Sequence, residues 1–325
     1  MYLYRNCILE NRWPRIIEKI EAVHSDVIFL QEVEEKQFDD LTTIFSDYKS
    51  YYMQRPGNVD GCATLINSRF EVVDVEKKVL SKPKTISDRD NVCILVLGKI
   101  NGKYVIFANT HILYNPKRGL IKASQIITIL EAVYSLMHKH DCFGCNVVMG
   151  GDFNLSPTGL LYHFITEGSL KISMVPEASL SGQIQRDTPS SSLLDYSEMP
   201  SEISHPFVFN SAYKAVQFKN NKPWKFTQDL KRKNGFNGLF VDYIFYGHLS
   251  NQSQIDKKQS IDYKFSSLVF DTKSNAPKEA LKLNSLKLIK IGDLPDPELV
   301  TIDPMPSKDE PSDHLMVSAE FELIN

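Results

Sequence analysis

Three stretches of the chain share one design, an apolar and β-branched run that ends in polar residues. They are Asp26-Val-Ile-Phe-Leu-Gln-Glu32, Tyr104-Val-Ile-Phe-Ala-Asn-Thr-His111 and Asn146-Val-Val-Met-Gly-Gly-Asp152-Phe-Asn154. Unbroken apolar strands suit sheets covered on both faces, so the rest of the chain must supply the covering layers. Helical spacing provides them. Trp13, Ile16, Ile17, Ile20 and Val23 predict a helix from Trp13 to His24, with Pro14 near its start. Ile126, Ile129, Leu130, Val133, Leu136 and Met137 predict a second, and Leu160, Leu161, Phe164 and Ile165 a third after Pro157. Phe240 to Tyr246 reads as a further strand, and Leu315 to Phe321 alternates as a final half-buried one. The order implies an α/β architecture with helices outside stacked sheets.

A chain of 325 residues can bury a large core without staples. Polar, Ser-, Pro- and Lys-rich tracts near 168–202 and 249–284 read as insertions into one domain spanning 1–325, because nothing between them resembles a linker. A net charge of −3 excludes a globally basic nucleic-acid coat, so any nucleic-acid contact must be local. No run reaches the roughly 18 apolar residues of a membrane span, and the opening residues lack the order of a secretory signal. Five scattered cysteines read as reduced thiols. The expectation is an intracellular protein of the cytoplasm or nucleus with no membrane partner.

Each polar strand end has an ordinary explanation. Glu32 could be a solvated turn residue. Asp152 and Asn154 point the same way if the backbone is extended, or form an Asx-type turn into Ser156-Pro157. Asp242 is different, because an unpaired carboxylate inside an apolar strand is costly. Ser312-Asp313-His314 supplies a partner, a histidine that Asp242 could orient as a carboxylate orients the imidazole of a hydrolase triad.

Taken in order, Leu30-Gln31-Glu32, Asn109-Thr110-His111, Gly151-Asp152-Phe153-Asn154, Val241-Asp242-Tyr243 and Ser312-Asp313-His314 make the sequence resemble the endonuclease/exonuclease/phosphatase superfamily over nearly its whole length. Within it the chain is similar to the Angel proteins, relatives of the deadenylases. This likeness rests on Val59-Asp-Gly-Cys-Ala63, Asp88-Arg-Asp-Asn-Val92 and Asn109-Thr-His-Ile-Leu-Tyr-Asn-Pro-Lys-Arg-Gly119. The resemblance implies a two-sheet α/β sandwich and a magnesium-dependent phosphoester hydrolase acting on RNA 3′ ends. Its activity would be that of a 3′-to-5′ exoribonuclease or of a 2′,3′-cyclic phosphatase. It further implies Glu32 as metal ligand with Asp313 in support, Mg²⁺ as the ion and Mn²⁺ as its substitute. Asp152 would position or deprotonate water, Asn154 hold it, His111 and His314 donate to phosphate oxygens, and Asp242 orient His314; Asp152 and His314 both stay open as the base.

Substrate contacts are expected from Arg89, Asn115, Lys117 and Arg118, with turns, caps and local ion pairs as the ordinary alternative. Trp224, within Lys222-Pro-Trp-Lys-Phe226, could stack a base. Members of the family open with a strand that places an Asn beside the metal. No such strand precedes the first helix here, and Asn6 and Asn11 lie in the wrong local context. That leaves a second expectation, a catalytically impaired fragment or paralogue serving as an RNA- or protein-binding module.

Overall fold

A computed structural model describes residues 9–81, 88–172, 175–183, 202–213, 218–219, 222–223, 227–232, 235–250, 285–294, 305–307 and 309–324. Its seven leading strands are β1 (Val27–Glu34), β2 (Tyr48–Gln54), β3 (Asp60–Asn67), β4 (Glu71–Val79), β5 (Val92–Ile100), β6 (Lys103–His111) and β7 (Asn146–Asp152). A three-stranded sheet has the order β1-β3-β2. A six-stranded sheet runs from Phe207–Ser211 through Asp242–Leu249 to β7, β6, β5 and β4. Only β6 and β7 pair in parallel there, and the helix Gly119–Lys139 makes the crossover such a pair requires.

Alternation along the central strands sorts the core into layers. Leu95, Leu97, Ile106, Ala108, Val147 and Met149 face the long helix, whereas Ile94, Val96, Val105, Phe107 and Val148 face the smaller sheet. Ile17, Ile20, Leu41 and Phe45, from the helices Leu9–Val23 and Glu35–Ile44 and the turn beyond, cover the outer side of that sheet through Ile28, Ala63 and Leu65. The result is helix, sheet, sheet, helix, the sandwich that the apolar strands imply. The Gly119–Lys139 helix is long and apolar enough to cross a bilayer, but 72% of its apolar window is buried here. At the polar end of the sandwich the two sheets nearly touch. A Cβ on Gly150 would lie 2.5 Å from the Phe29 ring, and one on Gly151 would collide with the Thr110 carbonyl.

Several boundaries differ from the expectation. The first helix begins at Leu9, so Pro14 lies inside it and removes one backbone bond. β1 does not end at Glu32. Gln31 and Glu32 form a bulge opposite Cys62, and the strand continues to Glu34. Asp242 opens its strand instead of lying mid-strand, and pairs in register with Asp152. The last strand starts at Ala319, because Leu315 donates to the Thr227 carbonyl at 2.6 Å and His314 bridges Gln228. Around the first polar tract, Ser169–Lys171 pairs with Glu202–Ser204, and Glu177–Ser181 is a short helix. The remainder of that tract, the tract at 251–284 and the opening Tyr2 to Cys7 lie outside the described residues. Among the described residues, β1 is an edge strand.

Candidate active site

The ends of β6, β7 and the Asp242–Leu249 strand lie side by side, and their register sets His111 opposite Asp152 and Asp152 opposite Asp242. Backbone bonds hold this end together. Ile112 donates to the Asp152 carbonyl at 2.8 Å, and Phe153 to that of Val241 at 3.0 Å. The Thr227 hydroxyl accepts from the amides of Val241 and Asp242 at 3.0 and 3.1 Å. Because the Thr227 carbonyl also holds Leu315, this one residue fixes Asp242 relative to His314.

The Asp242 carboxylate meets His314 Nδ1 at 2.9 Å. Burial works against a charge on His314, but the Asp242 charge and hydrogen bond, with Asp152 and Asp313 beyond, overcome it and raise the pKa to about 10. The imidazolium is therefore the resting form at neutral pH. His111 is the reverse case. Burial, Arg55 and His314 push it down to about 4, so it stays neutral. Its Nε2 lies 3.6 Å from Asp152 Oδ2, and its Nδ1 is buried with no hydrogen-bond partner among the described residues. Burial first, then the Asp242 carboxylate, pushes Asp152 up from the usual carboxylate range.

Asp152 and Asn154 do not lie on an extended strand. Asn154 is left-handed with φ 47°, and its amide donates to Asp152 Oδ1 at 2.7 Å, so the Asx-type turn is the geometry present. Asn154 Nδ2 donates to the Ile112 carbonyl at 2.9 Å, while its Oδ1 is buried without a partner among the described residues. Glu32, left-handed at φ 56° in the β1 bulge, has an exposed side chain. The protein around its carboxyl group nevertheless raises its pKa by desolvation, and Asp313 and Asp60 add to the rise.

The donor set suits a hard divalent cation. The Asp313 and Asp60 charges beside Glu32 are the crowding such an ion relieves, and oxygen is its preferred ligand. Asp152, Asp242 and His314 offer a second grouping, with ligand atoms within 4.8 Å of one another. There the His314 imidazole is already committed to Asp242 at 2.9 Å.

The other expected contacts are placed as follows. Arg118 meets the Asp88 carboxylate at 3.2 Å and Arg89 approaches it at 3.8 Å, so both belong to an exposed cluster of ion pairs. Asn115 caps the exposed Lys117 through an Asx turn at 3.0 Å. Gln125 connects this rim to the end of β6. It donates to Asn91 Oδ1 at 2.9 Å and to the Arg89 carbonyl at 3.3 Å, and Asn91 donates to the His111 carbonyl at 2.8 Å. Trp224 lies outside the described residues.

Two features had no role assigned in the expectation. Arg55 donates from Nε and Nη2, one edge of its guanidinium, to the two oxygens of Asp60, near enough to His111 and Glu32 to shift both. Asn109 is fully buried and spans the sandwich, donating to the carbonyls of Leu30 and Ala63 at 3.2 and 2.8 Å and accepting from Gln31 at 2.7 Å. It thereby holds the bulge that carries Glu32.

A model of the Endonuclease/Exonuclease/phosphatase family matches residues 10–314, and the chain belongs to that family. Its enzymes are generally divalent-metal dependent. The chain is 29% identical to human Protein angel homolog 2 over 361 residues, covering 99% of this chain and 66% of that protein; the mouse homologue is 28% identical with the same coverage. The chain thus spans just under two thirds of the length of these relatives. The crystal structure of ANGEL2, a 2′,3′-cyclic phosphatase, in complex with adenosine-2′,3′-vanadate, superimposes with a TM-score of 0.76 at 29% identity, covering 96% of this chain and 86% of that one. The human Nocturnin catalytic domain shares the fold, with a TM-score of 0.58 at 19% identity over 97% of this chain and 86% of that one.

Proposed function

We propose that the chain is a magnesium-dependent phosphoester hydrolase of RNA 3′ ends, and that the bond it breaks belongs to a terminal 2′,3′-cyclic phosphate. The observation that carries the reading is the Asp242–His314 pair converging with Asp152 at one end of the sandwich. The likeness to a solved 2′,3′-cyclic phosphatase over 96% of the chain supports the cyclic phosphate over an adenosine tail.

The chemistry follows from the charge states. Asp152, raised to about 8 by burial and the Asp242 charge, rests as a neutral acid at neutral pH, and once ionised it is the base that orients water and takes its proton. His314 is protonated already and so serves as a donor to a non-bridging phosphate oxygen, which removes it from the role of base. Neutral His111 offers a second N–H. Water adds its oxygen to phosphorus, one ring ester bond breaks, and the released ribose oxygen becomes a hydroxyl. Glu32 and Asp313 would hold Mg²⁺, with Mn²⁺ as substitute, and the ion supplies Lewis-acid stabilisation of the phosphoryl oxygens. Asn115, Lys117, Arg118 and Arg89 extend the site toward the RNA backbone. Free, buried Cys62, Cys93, Cys142 and Cys145 support a reducing compartment, cytoplasm or nucleus.

The test compares two oligonucleotides of one sequence, one ending in a 2′,3′-cyclic phosphate and one in a poly(A) tail with free hydroxyls. Opening of the ring with no shortening of the chain supports the reading. Progressive release of adenosine monophosphate from the second oligonucleotide would replace it with a deadenylase.

A further inference from the structure

Lys122 stands in the first turn of the Gly119–Lys139 helix and has no exposed surface. A buried ammonium ordinarily finds a carboxylate. Among the described residues, the bonds this one makes all go to neutral oxygens. They are the Asn154 carbonyl at 2.7 Å, Gln183 Oε1 at 2.6 Å and the Tyr114 carbonyl at 3.4 Å. The three acceptors come from three segments: the turn after β7, the stretch after the Glu177–Ser181 helix, and the loop after β6. Burial pushes the lysine pKa down to about 7, against the pull of the Asp152 charge.

The arrangement around Asn154 gives this lysine a purpose. Asparagine tolerates the left-handed conformation better than most residues, but a buried turn built on it still needs the backbone polar groups of that residue paired. Asn154 uses its amide on Asp152, its Nδ2 on Ile112 and its carbonyl on Lys122. Without the last bond its carbonyl is a buried acceptor lacking a partner, and rotation to a commoner conformation turns the amide away from Asp152.

We infer that Lys122 is a positioning residue for the hydrolysis, fixing Asn154 in its left-handed turn and thereby aiming the Asp152 carboxylate. This inference rests on the hydrolase reading above. It assigns work to a side chain that touches neither the substrate nor the groups expected to hold metal.

Lys122→Met keeps the length and apolar stem and removes the donors. The expected result is a kcat lower by roughly 10- to 100-fold with KM changed less than about threefold, the signature of misaligned catalytic groups. Lys122→Arg, which keeps a cationic donor, recovers most of the loss. Amide hydrogen exchange provides a second readout that does not depend on activity: the Asn154 amide exchanges at least about tenfold faster in the Met variant, while β5 amides are unchanged. A folded Met variant with wild-type kcat and wild-type exchange at Asn154 overturns the inference. So does a fall in melting temperature with kcat intact, which is what a purely structural lysine would give. If the Met variant does not fold, Lys122→Gln, a shorter and uncharged side chain, is read for exchange at Asn154 by the same criterion. Should the wild-type chain hydrolyse nothing, the hydrolase reading fails, and the exchange measurement still decides whether Lys122 holds the turn.

Discussion

Replacing Asp242 with asparagine keeps the shape of the site and removes the charge that holds the proton on His314. The span from 6.5 to about 10 for His314 sets a ceiling of roughly 5 kcal/mol on what its surroundings contribute. Asp242 supplies the largest favourable part, but Asp152 and Asp313 remain in the variant, and loss of the Asp242 charge relieves Asp152. We therefore expect a destabilisation of about 2–3 kcal/mol at pH 6, below the ~3–5 kcal/mol of an ordinary broken buried pair. The pH dependence has a definite sign. A group whose folded pKa is raised contributes stability that is fully present below its unfolded value, here 6.5, and lost as pH rises through its folded value of about 10. The gap between wild type and Asp242→Asn should thus be widest near pH 6 and close by pH 10. Urea unfolding at several pH values measures the gap, and ring-proton NMR of His314 in metal-free buffer measures the titration directly. A wild-type His314 that titrates near 6.5, or a gap that does not change with pH, would refute the assignment of charge on which the mechanism depends.

Three further changes probe the frame. Glu32→Gln should raise the Mg²⁺ concentration for half-maximal activity by at least about tenfold without altering the fold, read by metal titration and circular dichroism. Asn109→Ala leaves the Leu30 and Ala63 carbonyls and the Gln31 amide short of a buried partner, so a loss of about 2–4 kcal/mol in denaturant unfolding is expected, together with weaker metal binding. Gly151→Ala sets a Cβ against the Thr110 carbonyl at φ 131°, a backbone region that side chains avoid. It should cost at least ~2 kcal/mol, and a variant that melts with wild type would contradict the close approach.

The residues with chemistry were legible because each had to interrupt an apolar pattern. His111 and Asp152 end strands whose centres are apolar, and Asp242 demanded a partner that His314 supplies. Local backbone was harder to read. Glu32 lies in a bulge that no periodicity announces, and at Asn154 the sequence allows both an extended strand end and the Asx-type turn that forms. Lys122 and Gln125 did carry a signal. They lie at helical spacing from Ile126 and Ile129, on the apolar face of their helix, and a polar residue there must be satisfied inside the molecule. Arg55, Asp60 and Thr227 left no such trace, since exposed-looking polar residues in turns are common. Their roles come from tertiary contacts between segments far apart in sequence.

The central claim is metal-dependent opening of a cyclic phosphate by these residues. Its most direct measurement follows the conversion of an RNA 2′,3′-cyclic phosphate end to the monoester by the purified chain, with Mg²⁺ and with EDTA, beside Asp152→Ala and His314→Ala. Conversion that requires Mg²⁺ and falls at least about 10³-fold in both variants is the expected result. Conversion that survives EDTA or either substitution, or no conversion by the wild-type chain, would contradict the account.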